Sequence, residues 1–109
     1  MKPEIKRGSA ELAILAVLSG NPLHGYEISK QIARETGGAL AFKLGSLYPM
    51  LYRLERRGWV KGSWSGRSSG RRRRYYRLTP AGRRQLVSLS EQWRLFFQAL
   101  DRLVGVARA

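Results

Sequence analysis

From Gly45 to Gly58 the chain reads GSLYPMLYRLERRG, and its apolar positions recur at helical spacing. At 100° per residue, Leu47, Met50, Leu51 and Leu54 fall on one side, and Tyr48, Pro49, Tyr52, Arg53 and Arg56 on the other. A short helix with such a stripe docks on a core. Its other face carries tyrosines, arginines and an exposed proline, with Glu55 as the one acid at its border. A solvated basic face is the ordinary reading of that pattern. Tyr and Arg together also suit a surface that touches something polar, planar or anionic.

The rest of the chain divides by the same signals. Residues 1–8 are polar with Pro and Gly and read as a loose arm. Ser9 is placed to cap a helix from about Ala10 to Ser19, in which Leu12 to Leu18 are apolar on all sides. A helix apolar all round is buried on every side, which in so small a domain points to a second covering surface, such as another subunit. Gly20-Asn21-Pro22 breaks the chain, and a second helix follows from about Leu23 to Thr36. Ile28, Ile32 and Tyr26 face inward there, and Glu27, Lys30, Gln31 and Arg34 outward. Gly37-Gly38 ends it. With Ser46 as N-cap of the next helix, Pro49 takes the third helical position; an earlier start would put Pro49 where it distorts the helix. Trp59 to Ser65 and Arg73 to Leu78 read as two strands, with Tyr76 and Leu78 on one face and Tyr75 and Arg77 on the other. Between them Gly66 to Arg72 forms a basic hairpin tip. Thr79-Pro80 starts a last helix reaching about Val104. Its Leu86, Leu89, Trp93, Phe96, Leu100 and Leu103 are spaced 3, 4, 3, 4, 3, a heptad seam widened by Phe97. A seam of that kind favours packing against a partner helix, most economically a symmetric copy.

Charge narrows the function. The 109 residues make one domain, and 43% of them are apolar, enough for a core. Lys and Arg number 21 against 7 Asp and Glu, a net charge of +14 that attracts polyanions: DNA, RNA or an anionic membrane surface. The chain has no Cys, so disulfides and thiolate metal sites are excluded, and its one histidine, His24, makes no metal site alone. The longest apolar run, Leu12 to Leu18, is too short to span a bilayer and lacks the layout of a signal peptide, so the expected location is the cytoplasm. With so few acids, spread over separate helices, no nucleophile and base can be paired, and neither an enzyme nor a cofactor is expected.

Three helices, a two-stranded hairpin and a long helix give a mainly α (α+β) chain, the plan of a winged helix-turn-helix with a C-terminal dimerisation helix. In that plan the third helix enters the major groove and the wing touches the flanking backbone. The expected boundaries are a flexible arm over residues 1–8, the DNA-binding domain over 9–78 and the dimerisation helix over 79–109. The segments HGYEI (24–28), GSLYPMLYRLERRGWV (45–60) and GRRRRYYRLTPAGRRQL (70–86), with their separations, resemble those of PadR-type transcriptional regulators. The resemblance spans residues 9–104 and is to the smaller members, with a single C-terminal helix. It implies a dimeric repressor, its last helix packed on the first helix and on the partner subunit, that releases DNA when a ligand or other signal alters the dimer.

Candidate residues follow. Lys43, Ser46, Tyr48, Pro49, Tyr52 and Arg53 are the expected reading face, with Tyr48 equally able to pack on the preceding helix. Arg67, Arg71, Arg72 and Arg73 of the wing suit phosphates, to which Arg binds through two prongs; with Arg74 and Arg77 they make six arginines in eleven residues. His24 helps to begin the second helix. Leu12, Leu15, Leu86, Leu89, Trp93, Phe96, Leu100 and Leu103 are the expected dimer interface. Some small PadR-type regulators bind flat aromatic compounds between paired tryptophans, which makes Trp93, with Leu89 and Phe97, a candidate site for a planar aromatic effector; the same bulky neighbours would also fill it. The expected partners are thus double-stranded DNA, a second copy and such an effector, with no membrane. The competing reading is a non-specific basic module for RNA or for architectural binding of DNA.

Overall fold

A computed structural model describes residues 3–65 and 73–108. In chain order the elements are α1 (Pro3–Leu18), β1 (Leu23–His24), α2 (Gly25–Glu35), α3 (Leu44–Arg56), β2 (Val60–Ser65), β3 (Arg73–Leu78) and α4 (Pro80–Arg108). The chain is mainly helical, with one small antiparallel sheet in the order β1-β3-β2. The apolar stripe of α3 lies against Ile14, Leu15 and Leu18 of α1 and Ile28 and Ile32 of α2 in one core, closed by Val60, Tyr76 and Leu78 of the sheet. Each such aliphatic side chain contributes about 1.5–3 kcal/mol by leaving water.

Helix ends are fixed by local chemistry. α2 opens on a capping box: the Glu27 amide donates to His24 Nδ1 (3.3 Å), and the His24 amide donates to Glu27 Oε1 (3.2 Å). It closes on Gly37 and Gly38, both with positive φ; their amides donate to the carbonyls of Arg34 and Ala33 in a Schellman motif. α3 ends the same way, with Gly58 at φ 79° and the amides of Gly58 and Trp59 on the carbonyls of Glu55 and Leu54. The hydroxyl of Thr79 accepts from the Gly82 amide (2.9 Å) and donates to the Gly58 carbonyl (2.6 Å). One residue thus caps α4 and ties it to the end of α3.

Several expectations are corrected. Helix begins at Pro3, not Ala10, so residues 3–8 continue α1 instead of forming a loose arm; Pro is well suited to a first helical position. Gly8 falls within that helix beside Trp93 of α4, whose Cζ2 is 3.4 Å from a Cβ built there. Leu23–His24 is a short strand pairing with Tyr75 and Tyr76, too brief to show alternation. Tyr26 is 55% exposed, stacked near the His24 ring (6.5 Å) instead of turned inward. The N-cap of α3 is Lys43, whose carbonyl accepts from the amides of Ser46 and Leu47 (both 2.9 Å). Ser46 therefore lies inside the helix and Pro49 at its sixth position, where the missing N–H leaves the carbonyl of the exposed Gly45 without its helical donor. Leu15 is fully buried in its own domain, so it is core and not available to a partner. Its own domain leaves part of α1 uncovered, with Ala16 exposed and Leu12 half-buried.

α4 is expected to end near Val104 but runs to Arg108, 29 residues and about 43 Å at 1.5 Å per residue. Leu86 and Leu89 pack on the core. The later seam residues do not: Phe96 and Leu100 are each 41% exposed and Leu103 67%. The helix thus projects from the domain, and the molecule is 61 Å long but only 27 and 23 Å across.

A candidate nucleic-acid interface on the third helix and wing

The outer face of α3 presents Ser46, Tyr48, Pro49, Tyr52 and Arg53, all exposed, with Lys43 just before the first turn. Buried leucines on the opposite side hold this face rigidly. Among the described residues neither Lys43 nor Arg53 is in an ion pair. Tyr48 packs on the preceding helix and keeps part of its ring in solvent. It is 44% exposed, and its ring lies over the start of α2 so closely that a Cβ on Gly25 would stand 2.5 Å from the hydroxyl oxygen. Arg56 stacks beside Tyr52, 5.9 Å from the ring centroid. Arg57 turns back instead, pairing with Glu11 (3.0 Å) and lying over Trp59 (5.0 Å).

Strand alternation divides the wing into two faces. Gly62, Trp64, Arg74 and Tyr76 share the face toward α3; Lys61, Arg73, Tyr75 and Arg77 share the outer one. Lys61 stands directly opposite Arg77, both exposed. Like charges in that position repel, a cost that a bound polyanion offsets. Of the wing residues expected to bind phosphate, Arg67, Arg71 and Arg72 lie outside the described residues. Arg73 is exposed, and its Nη1 lies 3.0 Å from His24 Nε2. Because Nδ1 accepts from the Glu27 amide, a neutral ring carries its proton on Nε2. The Arg73 contact is then a close approach, not a second accepted bond.

The arginine run from Arg71 to Arg74 contains no acid of its own, but Arg74 meets one across the fold. Its Nη2 donates to Glu55 Oε2 at 2.7 Å, and the guanidinium lies over both Trp64 (5.6 Å) and Tyr76 (5.7 Å). Burial pushes the Tyr76 phenol above its usual pKa, and the adjacent Arg74 opposes that rise. Between α3 and the wing runs an open cleft of about 440 Å³ lined by Tyr48, Tyr52, Glu55, Arg56, Arg74 and Tyr76. A second, of about 700 Å³, lies beside it among His24, Tyr26, Leu44, Tyr48, Trp64, Arg73, Arg74 and Tyr76. The sequence did not place Trp64 or Lys61 at this surface, and it put Glu55 only at the border of the helix face. Register with β3 could have found the first two; Glu55 and Arg74 meet only through the tertiary fold.

Trp93 contacts Phe96 edge-on (5.8 Å) and Phe97 at a tilt (5.4 Å). It lies against its own chain's α1 at Gly8, half-buried, and Leu89 is drawn into the core. Among the described residues no helix is long and apolar enough to cross a membrane, and no cluster of three or more metal-binding side chains forms.

Over residues 14–88 the sequence matches the family model described as the transcriptional regulator PadR-like family. A transcriptional regulator of Mycobacterium tuberculosis is 37% identical over 102 residues, 94% of this chain and 89% of its own length. A transcriptional regulator from Clostridium thermocellum superposes with a TM-score of 0.82 at 32% identity, covering 91% of this chain and 96% of that one. Bacillus subtilis PadR, solved in complex with operator DNA, superposes with a TM-score of 0.66 at 27% identity over 72% of this chain and 45% of that one. A helix face without an acid from Lys43 to Arg53, set beside a basic wing, together with these similarities, identifies the chain as a member of the PadR-like family of transcriptional regulators.

Proposed function

We propose that two copies of this chain form a dimeric, sequence-specific repressor that binds operator DNA and is released by a small-molecule or other signal. The observation that carries the reading is the outward face of α3, from Lys43 to Arg53, presented without an acid next to an arginine-rich wing. A major groove about 12 Å wide admits one helix. Tyr48, Pro49, Tyr52 and Arg53 then meet base edges, while Lys43, Ser46 and the wing arginines grip phosphates, which position the protein without reading sequence.

Dimerisation is supported by the apolar surface α4 leaves uncovered. Phe96, Leu100 and Leu103 are spaced as a seam and exposed, and Trp93 and Leu12 are half-buried. A second copy buries both seams at once and sets two reading helices at a fixed separation. The aromatic cluster of Trp93, Phe96 and Phe97 lies along that seam, where a planar aromatic effector would stack and alter the pairing.

The test compares binding to a duplex from the region upstream of the chain's own gene with binding to a random duplex, at two salt concentrations. Each phosphate contact contributes about −0.9 to the log–log salt slope on either duplex. A repressor keeps a preference of roughly 10³-fold or more for its site. Equal binding to both duplexes contradicts it and favours the non-specific basic module.

A further inference from the structure

Arg74 is the one arginine of the described wing held by an acid, and that acid comes from the reading helix. Glu55 Oε2 accepts from Arg74 Nη2 (2.7 Å) and from the Gly62 amide (3.2 Å), so one carboxylate oxygen joins α3 to both strands of the wing. The Arg74 side chain is 30% exposed and that of Glu55 29%, so the pair is partly withdrawn from water. Trp64 and Tyr76 lie within 6 Å of the guanidinium, and Gly62 makes room for it: a Cβ there would stand 2.7 Å from three guanidinium atoms. Glu55, Arg74 and Tyr76 line the cleft between helix and wing, and Trp64 lines the one beside it. For bare attraction to phosphate the arrangement is counterproductive. It puts a carboxylate on the DNA-facing side and removes one cation from the field.

We propose that Glu55 is a positioning and specificity-determining residue, which holds Arg74 off the DNA phosphates and fixes the angle of the wing against the reading helix. The inference rests on the reading of α3 and the wing as the DNA-binding surface. Non-specific affinity comes almost wholly from cations meeting phosphates and grows with each contact. Specificity depends on the difference between matched and unmatched DNA, and it falls when a flexible cation strengthens binding to unmatched DNA more than to matched DNA. Arg74 in its clamp adds rigidity to the wing instead of one more sequence-blind contact.

The test measures binding of the full-length chain to the upstream duplex and to a random duplex of equal length, each over a range of salt. Glu55→Gln keeps an acceptor for the Gly62 amide but releases the Arg74 charge. Binding to the random duplex is expected to tighten close to tenfold near 0.1 M salt, with the slope steeper by about 0.9, one added phosphate contact. The preference for the upstream duplex should shrink by a similar factor. Adding Arg74→Gln should abolish the gain. Arg74→Lys, which keeps the charge but loses the planar stacking, serves as a second variant and should move the same way as Glu55→Gln. A purely structural role lowers stability and weakens both duplexes alike with the slope unchanged; that result overturns the inference, as does a gain that survives Arg74→Gln. If the unmutated chain shows no preference between the duplexes, the repressor reading fails, while the slope on the random duplex still decides the role of Arg74.

Discussion

Two glycines of α4 separate local helix preference from tertiary fit. Gly82 is buried one turn into the helix, and a Cβ built on it overlaps the Trp59 carbonyl oxygen, with the Trp59 carbonyl carbon at 2.9 Å and Leu78 Cδ1 at 2.8 Å. The leucine methyl can turn aside. The Trp59 carbonyl is held by the Thr79 amide (3.1 Å) and directly follows the Gly58 turn. Gly82→Ala therefore forces α4 away from the end of α3 and strains both Thr79 hydrogen bonds to that turn. Overpacking costs about 1–3 kcal/mol, each weakened hydrogen bond about 1 kcal/mol, and the better helix propensity of Ala returns about 1 kcal/mol. The net loss is roughly 2–4 kcal/mol, a fall in Tm of roughly 10–20 °C. Gly105, in the same helix, has nothing within 4 Å of the place a Cβ would take, so Gly105→Ala should gain up to about 1 kcal/mol. Thermal unfolding followed by far-UV circular dichroism reads both. Equal shifts for the two substitutions, or a Gly82→Ala protein as stable as the parent, would refute the close packing of α4 on the α3 terminus.

Thr79→Ala removes the cap of α4 and its tie to Gly58, and should lower stability by about 1 kcal/mol, read as a Tm fall of roughly 4–8 °C. Tyr76 has its folded pKa raised by burial, so its contribution is intact below the unfolded value near 10 and is lost as pH rises through the folded value. Denaturant midpoints should therefore fall in alkali above about pH 10, and Tyr76→Phe should flatten that fall. Phe96→Ala with Leu100→Ala trims two exposed seam residues that touch little of their own domain. Light scattering should show the dimer weakened while the melting of the monomer is little changed, and a monomeric parent protein would contradict the seam.

What the sequence revealed was what local chemistry decides. The stripe of α3 was readable because Leu47, Met50, Leu51 and Leu54 recur at helical spacing, and all four are buried. Thr79-Pro80 and the paired glycines at 37 and 38 marked their helix ends because capping is a matter of adjacent residues. The alternation of Tyr76 and Leu78 with Tyr75 and Arg77 showed which face of β3 turns inward. Misreadings arose where distant packing overrode local signals. Pro3 and Gly8 looked like breakers but begin and continue a helix, the glycine beside Trp93. Ser46 looked like a cap because Ser is a favoured N-cap residue, yet the helix is capped three residues earlier, at Lys43. Leu15 lay in an unbroken apolar run, in which nothing separates a core position from an interface position. Glu55 and Arg74, separated by 19 positions, meet only because the wing folds back on the helix.

The paired use of α3 is tested most directly by a hydroxyl-radical footprint on the region upstream of the chain's own gene. Two protected half-sites with centres about 10–10.5 base pairs apart, or a multiple of that spacing, are expected of a two-fold dimer reading successive major grooves. A single protected patch, or uniform protection with no preferred position, would contradict it.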